Sequence, residues 1–172
     1  MHILTELART PQSPVHHPEG SVLSHTLMVV EKARENIDKA QYPFGFMLAA
    51  LCHDFGKPKT TTWSDKKQDW TAYDHDKEGV EPARDFVSKI TKDPYTIEYV
   101  CNMVLLHMKP VMYSRNGAKQ NKWFKLFSTS VCPQDLLLLA ECDFLGRKAD
   151  RDFSPIKGTM YSMLSAWTRR TP

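Results

Sequence analysis

The stretch PFGFMLAALCHDFGK, residues 43–57, decides how the chain folds and raises the question of what it does. Pro43 opens a helix at a position where its missing N–H costs nothing. Phe44, Met47, Leu48, Leu51, Cys52 and Phe55 recur at helical spacing and define a face for burial. Gly56 followed by Pro58 supplies the stop. His53 and Asp54 follow that apolar face, about 100° apart around the axis, so both can look into one cavity between helices. An unpaired buried carboxylate costs several kcal/mol unless a partner or a metal ion compensates. Something positive is therefore expected beside them.

Outward from this helix the pattern stays helical. Ser21 caps a helix from Val22 to about Asp38, with Val22, Thr26, Val29, Val30, Ala33 and Ile37 on one face. Another runs from about Glu78 to Ile90, with Ala83, Phe86, Val87 and Ile90 inward and Pro82 marking a kink or the true start. A clean pattern from Pro94 to about Met108 follows, then helices near 119–129, from Pro133 through LLLLAECDFLGR, and near 160–168. Between Lys59 and Tyr73, threonines and aromatics flank a polar SDKKQD, which suits a short β-hairpin or flap. The expected fold is an all-α bundle with that one insertion. At 172 residues a single domain is expected, with a core over about 15–150, a lead-in over 1–14 that continues extended through the proline-rich Thr10–Gly20, and a tail or helix over 151–172.

Composition narrows the function classes. With 41% apolar and 25% charged residues the chain reads as soluble and globular, and without a membrane-length apolar run or a secretory leader it is expected in the cytoplasm. Cys52, Cys101, Cys132 and Cys142 form no CxxC pair and read as buried free thiols. A net charge of +3 is too small to imply nucleic-acid binding without a particular distribution.

Further ionisable groups fall on inward faces. His25 lies one turn before Val29, Asp143 follows Leu139 and Ala140, His107 follows Val100 and Val104, and His75 sits in DHDKEG. Each alone is better read as a structural histidine or a capping acid. His25, His53, Asp54, His75, His107 and Asp143 together favour a site. Imidazoles and carboxylates without thiolates suit one or two divalent ions of the Mn, Fe, Co, Ni or Zn kind, with Mg also compatible with the carboxylates; Asp54 could bridge two. Such an ion lowers the pKa of its water toward about 7 and polarises a phosphoryl oxygen, which hydrolysis needs. Lys57 is placed to meet a phosphate or orient a carboxylate, and otherwise reads as a solvated lysine. Arg147, one turn beyond Asp143, is a second candidate phosphate contact, or half of a buried salt bridge. Asp76 or His107 could handle a proton.

The order His25, His53-Asp54, Asp143 resembles the H…HD…D ligand set of the HD-domain metal-dependent phosphohydrolases. HHPEGSVLSHTLMVV (16–30), LCHDFGKPKTTT (51–62), YDHDKEGVEPA (73–83) and CDFLGR (142–147) resemble more closely the HD domain of bacterial CCA-adding tRNA nucleotidyltransferases, over roughly residues 15–150. The resemblance implies an all-helical fold, a metal ion on His25, His53, Asp54 and Asp143, a second ion completed by His75 and His107, and hydrolysis of phosphate esters, 2′,3′-cyclic phosphates and 2′-nucleotides included. This chain has Asp74-His75-Asp76 where that family usually has Gly-His-Glu. No nucleotidyltransferase unit fits before His16, so CCA addition is not expected of it.

From Tyr99 to Gln134 there is no acidic residue, while Lys109, Arg115, Lys119, Lys122 and Lys125 are basic and Tyr113, Trp123, Phe124 and Phe127 are interleaved. The charges suit a phosphate-rich ligand, with Lys109 and Arg115 as contacts, whereas the aromatics read first as core. Trp63, Trp70 and Tyr73 either close over the site or pin the hairpin. The leading expectation is a metal-dependent phosphohydrolase acting on a nucleotide or a phosphorylated nucleic-acid end, with Asp54, Lys57 and Arg147 in the catalytic roles. A 5′-nucleotidase or deoxynucleoside triphosphate hydrolase is the alternative within the enzyme class. A metal-containing module that docks RNA or a partner protein is the alternative outside it.

Overall fold

The structure is a computed structural model and describes residues 2–170. Helices carry the architecture: α1 (Ile3–Arg9), α2 (Val22–Glu35), α3 (Pro43–Cys52), α4 (Lys57–Thr60), α5 (His75–Glu78), α6 (Val80–Val87), α7 (Pro94–Leu106), α8 (Lys109–Arg115), α9 (Gln120–Thr129), α10 (Pro133–Leu145) and α11 (Ser154–Thr168). The inserted hairpin pairs β1 (Thr61–Ser64) with β2 (Asp69–Ala72) in an antiparallel register that sets Trp63 opposite Trp70. The all-α bundle with a hairpin insertion is thus what the chain forms. No helix among the described residues is long and apolar enough to cross a membrane.

Helix starts follow local chemistry. The Ser21 hydroxyl accepts a hydrogen bond from the Ser24 N–H at the head of α2, and the Asp93 carboxylate accepts from the N–H groups of Tyr95 and Thr96 at the head of α7. Proline opens α3, α7 and α10. α3 packs against α2, α7 and α10. In α10 every residue from Leu136 to Ala140 is buried, as expected of a helix that is apolar all round and runs through the interior.

Several details depart from the sequence reading. Residues 3–9 of the presumed lead-in are helical, and Leu7 is wholly buried. The C-terminal helix begins at Ser154 and contributes Met160 and Leu164 to the core. The helix expected over 78–90 is the shorter α6, with Pro82 in its first turn, and a separate single turn, α5, precedes it. The segment expected to end at Met108 continues, after a break, as α8. Phe44 and Ile90, assigned to buried faces, are 50% and 49% exposed: Phe44 lies on the solvent flank of α3, and Ile90 lies in the turn beyond the end of α6. All four cysteines are buried free thiols.

Gly56 is not the left-handed stop that the sequence suggests. Its φ is −81°, α3 has already ended at Cys52, and a turn carries the chain into α4. The glycine is required by proximity: an added Cβ would lie 2.0 Å from the His75 carbonyl oxygen and 2.6 Å from the Gly79 nitrogen. Both are backbone atoms that no rotamer change can move. Gly56→Ala is therefore expected to destabilise by about 3 kcal/mol, at the upper end of overpacking costs, and to push His75 from its place. Thermal denaturation checks this, and a variant within 0.5 kcal/mol of wild type, by order of magnitude, contradicts it.

Candidate metal centre

The bundle delivers its ionisable groups from the ends of elements. His53 and His107 are the residues immediately after the last turns of α3 and α7, where backbone carbonyls lack helical partners. Each uses one: His53 Nδ1–H donates to the Ala50 carbonyl at 2.8 Å, and His107 Nδ1–H to that of Val104 at 2.7 Å. His75 does the same with the Ala72 carbonyl at 2.8 Å, at the junction of β2 and α5. That junction turns through Asp74, whose φ of +59° is a left-handed conformation that aspartate tolerates better than most residues. His25, on α2, has Nδ1 3.1 Å from the Gly146 carbonyl and 3.0 Å from Glu19 Oε1. Both are acceptors, so Nδ1 carries the proton. The approach to Gly146 depends on its lacking a side chain, since a Cβ there would lie 2.7 Å from Val29 Cγ2.

With every Nδ1 committed to an acceptor, four Nε2 atoms turn inward onto two carboxylates. His25 Nε2 is 2.9 Å from Asp143 Oδ1 and 3.8 Å from Asp54 Oδ2. His53 Nε2 is 3.3 Å from Asp54 Oδ2 and 3.8 Å from Asp143 Oδ1. His75 Nε2 and His107 Nε2 lie 3.3 Å and 3.9 Å from the other oxygen of Asp54, Oδ1. Asp54 is thus shared by two lobes, one of His25, His53 and Asp143, the other of His75 and His107. The Nε2 atoms of His53, His75 and His107 are buried without a hydrogen-bond partner. An orphaned buried polar atom costs about 1–3 kcal/mol, and three facing one carboxylate need a reason. Neutral imidazole lone pairs and carboxylate oxygens are what a divalent transition ion takes as ligands, so the donor set fits one ion or two.

The electrostatics point the same way. Burial alone raises a carboxyl, yet the charges of His53 and Lys57 outweigh it and hold Asp54 well below the usual range. For Asp143 burial is likewise outweighed, by the Arg147 guanidinium and the hydrogen bond with His25. His107 is pushed down to about 4 by burial and by the neighbouring His53 and His75, which keeps it neutral. His53 moves up: burial lowers it, but the Asp54 charge prevails. Both acids are therefore held toward the ionised form, with positive charge around them.

The remaining expected residues are placed as follows. Lys57 is buried, with Nζ 2.8 Å from Asp54 Oδ2 and donating to Gln12 Oε1 at 2.8 Å, so it is not the solvated lysine of the alternative reading. Arg147 Nη2 is 3.3 Å from Asp143 Oδ1. Lys57, Arg115 and Arg147 line a cleft of about 340 Å³ that opens onto Asp54, His75 and Asp143. Its other wall is the hairpin side, with Trp70, Thr71 and Tyr73. Lys109 and Asp76 are not in the cleft lining. His107 is 1% exposed, with Nε2 3.9 Å from Asp54 Oδ1. Trp123 and Phe127 are core residues at 0% and 1% exposure.

Glu19 escaped the sequence reading. Its side chain is 1% exposed and its Oε1 accepts from His17 Nδ1–H and His25 Nδ1–H, both at 3.0 Å. Burial pushes its carboxyl up, but the hydrogen bonds from His25, its own backbone and His17 bring it down to about 2. The signal was its place in HHPEG, six residues before His25, which the loop folds back. A carboxylate behind a ligating imidazole fixes tautomer and ring orientation and is worth roughly 10–100-fold in metal affinity. Glu19→Gln is expected to cost that factor while leaving the fold intact, as read by metal titration alongside a melting curve; affinity within two-fold of wild type would contradict it.

The chain is similar in sequence to known proteins. The Multifunctional CCA proteins of Actinobacillus pleuropneumoniae serotype 5b (strain L20) and serotype 7 (strain AP76) are 39% identical over 80 residues, 46% of this chain and 18% of each of theirs. That of Pasteurella multocida (strain Pm70) is 34% identical over 98 residues, 55% of this chain and 22% of that protein. The matched part spans about a fifth of the length of these relatives. The family model for the HD domain matches residues 22–143, well over half of the chain and from the first residue of α2 through Asp143. This chain therefore belongs to the HD domain family, of the metal-dependent phosphohydrolase superfamily.

Proposed function

We propose that the protein is a metal-dependent phosphohydrolase acting on nucleotides or on phosphorylated nucleic-acid ends, with His25, His53, Asp54, His75, His107 and Asp143 as the metal ligands. The observation that carries the reading is the set of buried Nε2 atoms without partners, facing a carboxylate that is itself buried and ionised. A divalent cation bound there supplies Lewis acidity and a water of lowered pKa. The protein's own groups do the rest. Lys57, held by Gln12 and Asp54, presents its ammonium at the cleft floor, where it neutralises a phosphoryl oxygen. Arg147 fixes Asp143 from behind and turns the rest of its guanidinium to the cleft. The hairpin wall, with Trp70 and Tyr73, gives a flat apolar surface on which a base can stack.

Similarity to the Multifunctional CCA proteins supports 2′,3′-cyclic phosphates and 2′-nucleotides as first substrates to try. The deciding experiment is elemental analysis of the purified protein together with hydrolysis of nucleoside 2′,3′-cyclic phosphates, 2′-, 3′- and 5′-monophosphates and triphosphates, each with Mn, Fe, Co, Ni, Zn and Mg. Stoichiometric metal with turnover of the cyclic or 2′ compounds supports the proposal. Selective turnover of 5′-monophosphates or triphosphates moves it to the nucleotidase or triphosphohydrolase class, and bound metal without turnover of any member replaces it with a binding module.

A further inference from the structure

Three arginines converge on the cleft beside the His/Asp centre without enough negative charge to balance them. Arg115 comes from the end of α8, Arg147 from just beyond α10, and Arg151 from the segment leading to α11, and all three line the same cavity. Arg147 has one acidic partner, Asp143, and its Nε is buried with no hydrogen bond. Arg151 donates through Nη2 to the Nδ1 of His16 at 2.9 Å, and Arg115 lies over the Phe144 ring at 5.6 Å from its centroid. Among the described residues neither Arg115 nor Arg151 pairs with a carboxylate. These neutral partners orient the guanidiniums but leave their charge uncompensated. Burial, and then repulsion from Arg147 and Arg151, lowers the Arg115 guanidinium from its ordinary value, which shows how closely the like charges are gathered. Arginines crowded together facing a cavity are stabilised by an anion with several acceptor oxygens, which their forked donors match.

A phosphate being hydrolysed belongs over Asp54 and Lys57, which line the same cleft, and Arg147, 3.3 Å from Asp143, lies next to that centre. Neither Arg115 nor Arg151 contacts any residue of that centre through an ion pair. We infer that Arg115, Arg147 and Arg151 form a subsite for a second phosphate group of the substrate, one that is bound but not cleaved. This rests on the phosphohydrolase reading and narrows its substrate class to nucleotides carrying a phosphate besides the reacting one. The second group is either a phosphomonoester, as in a nucleoside bisphosphate, or the adjoining phosphodiester of a nucleic-acid end. The hairpin's Trp70 and Tyr73 lie across the same cavity, which at about 340 Å³ is of the size that small ligands occupy.

The test is calorimetric binding of adenosine 5′-monophosphate, adenosine 3′,5′-bisphosphate and a 3′-phosphorylated dinucleotide. Each is measured on the purified protein as isolated and after EDTA treatment. At least one doubly phosphorylated compound is expected to bind about ten-fold or more tightly than the monophosphate in both states, a ratio of the size that charge-assisted hydrogen bonds give. Preference for the bisphosphate identifies a monoester as the second group, and preference for the dinucleotide identifies the diester. In the Arg115→Gln/Arg151→Gln variant the ratio should fall to about one, while Arg115→Lys/Arg151→Lys, which keeps the charge, should retain part of it. Equal affinities in the wild type, or an undiminished ratio in the glutamine variant, would overturn the subsite. If the preference is present but no compound is hydrolysed with any metal, the phosphohydrolase reading fails and the anion site stands.

Discussion

Asp54→Ala is expected to abolish metal retention and turnover together. Both oxygens of this carboxylate are in use, Oδ2 toward His25, His53 and Lys57 and Oδ1 toward His75 and His107, so it faces both lobes of the centre. Losing a residue that stands behind a ligand costs roughly 10–100-fold in metal affinity, so losing the shared ligand should cost more than about 10²-fold, and hydrolysis on the order of 10³-fold. His53→Ala should do the same to a lesser degree, since it removes one donor from one lobe. The variants also leave the Lys57 ammonium facing an interior from which its counter-charge has gone, so melting curves should accompany the metal analysis. Folded Asp54→Ala protein with wild-type metal content and wild-type rates would remove the basis of the proposed function.

The second large effect lies outside the site. Asp135 is wholly buried in the first turn of α10, yet it accepts hydrogen bonds from the Gln41 N–H at 2.8 Å, the Tyr42 N–H at 3.0 Å and the Tyr99 hydroxyl at 2.6 Å. Two of these donors belong to the chain entering α3, so a carboxylate from one helix caps the start of another and also complements its dipole. Asp135→Ala strands three donors in the interior at about 1–3 kcal/mol each, and a loss of about 4 kcal/mol or more is expected after relaxation. That is a large part of the roughly 5–15 kcal/mol that holds an ordinary domain together. Tyr99→Phe, which removes one donor and leaves the acceptor satisfied, should cost only about 1 kcal/mol. Urea denaturation at a fixed metal concentration distinguishes the two. A small effect of Asp135→Ala would mean that water replaces the carboxylate and that the α3 entry is not fixed by α10.

The two effects mark how far a linear reading reaches. The inward direction of His25 and Asp143 follows from helical periodicity, because a residue three or four places from a run of buried ones shares their face; His53, Asp54 and His107 were read on the same rule but lie just beyond the ends of α3 and α7. His75 was placed by its motif, and the hairpin by its threonines, aromatics and polar centre. Asp135 and Glu19 were missed for a common reason. Each is an acid near an element start or in a loop, where the same letters ordinarily mean a solvated cap, and each meets a partner distant in sequence: Gln41 and Tyr99 in one case, Lys148 in the other. Gly56 was noticed for the wrong property, since a helix-stopping glycine and one that allows two backbones to touch are written alike. Lys57 was assigned either to a phosphate or to a carboxylate. The packed chain places it beside the carboxylate while leaving it on the cleft wall.

What the amino-acid order determined by itself is local. It set where α2, α3, α7 and α10 begin, most of the apolar stripe of each, and that histidines and aspartates sit on or beside those stripes, because capping and periodicity act within a few residues. What only the packed chain decided is which nitrogen of His25 faces the centre, that Asp54 lies between two lobes, and that three arginines from separate segments line one cleft. Those outcomes depend on groups brought together across long stretches of chain, more than a hundred residues between His25 and Gly146, and no local rule encodes such a meeting.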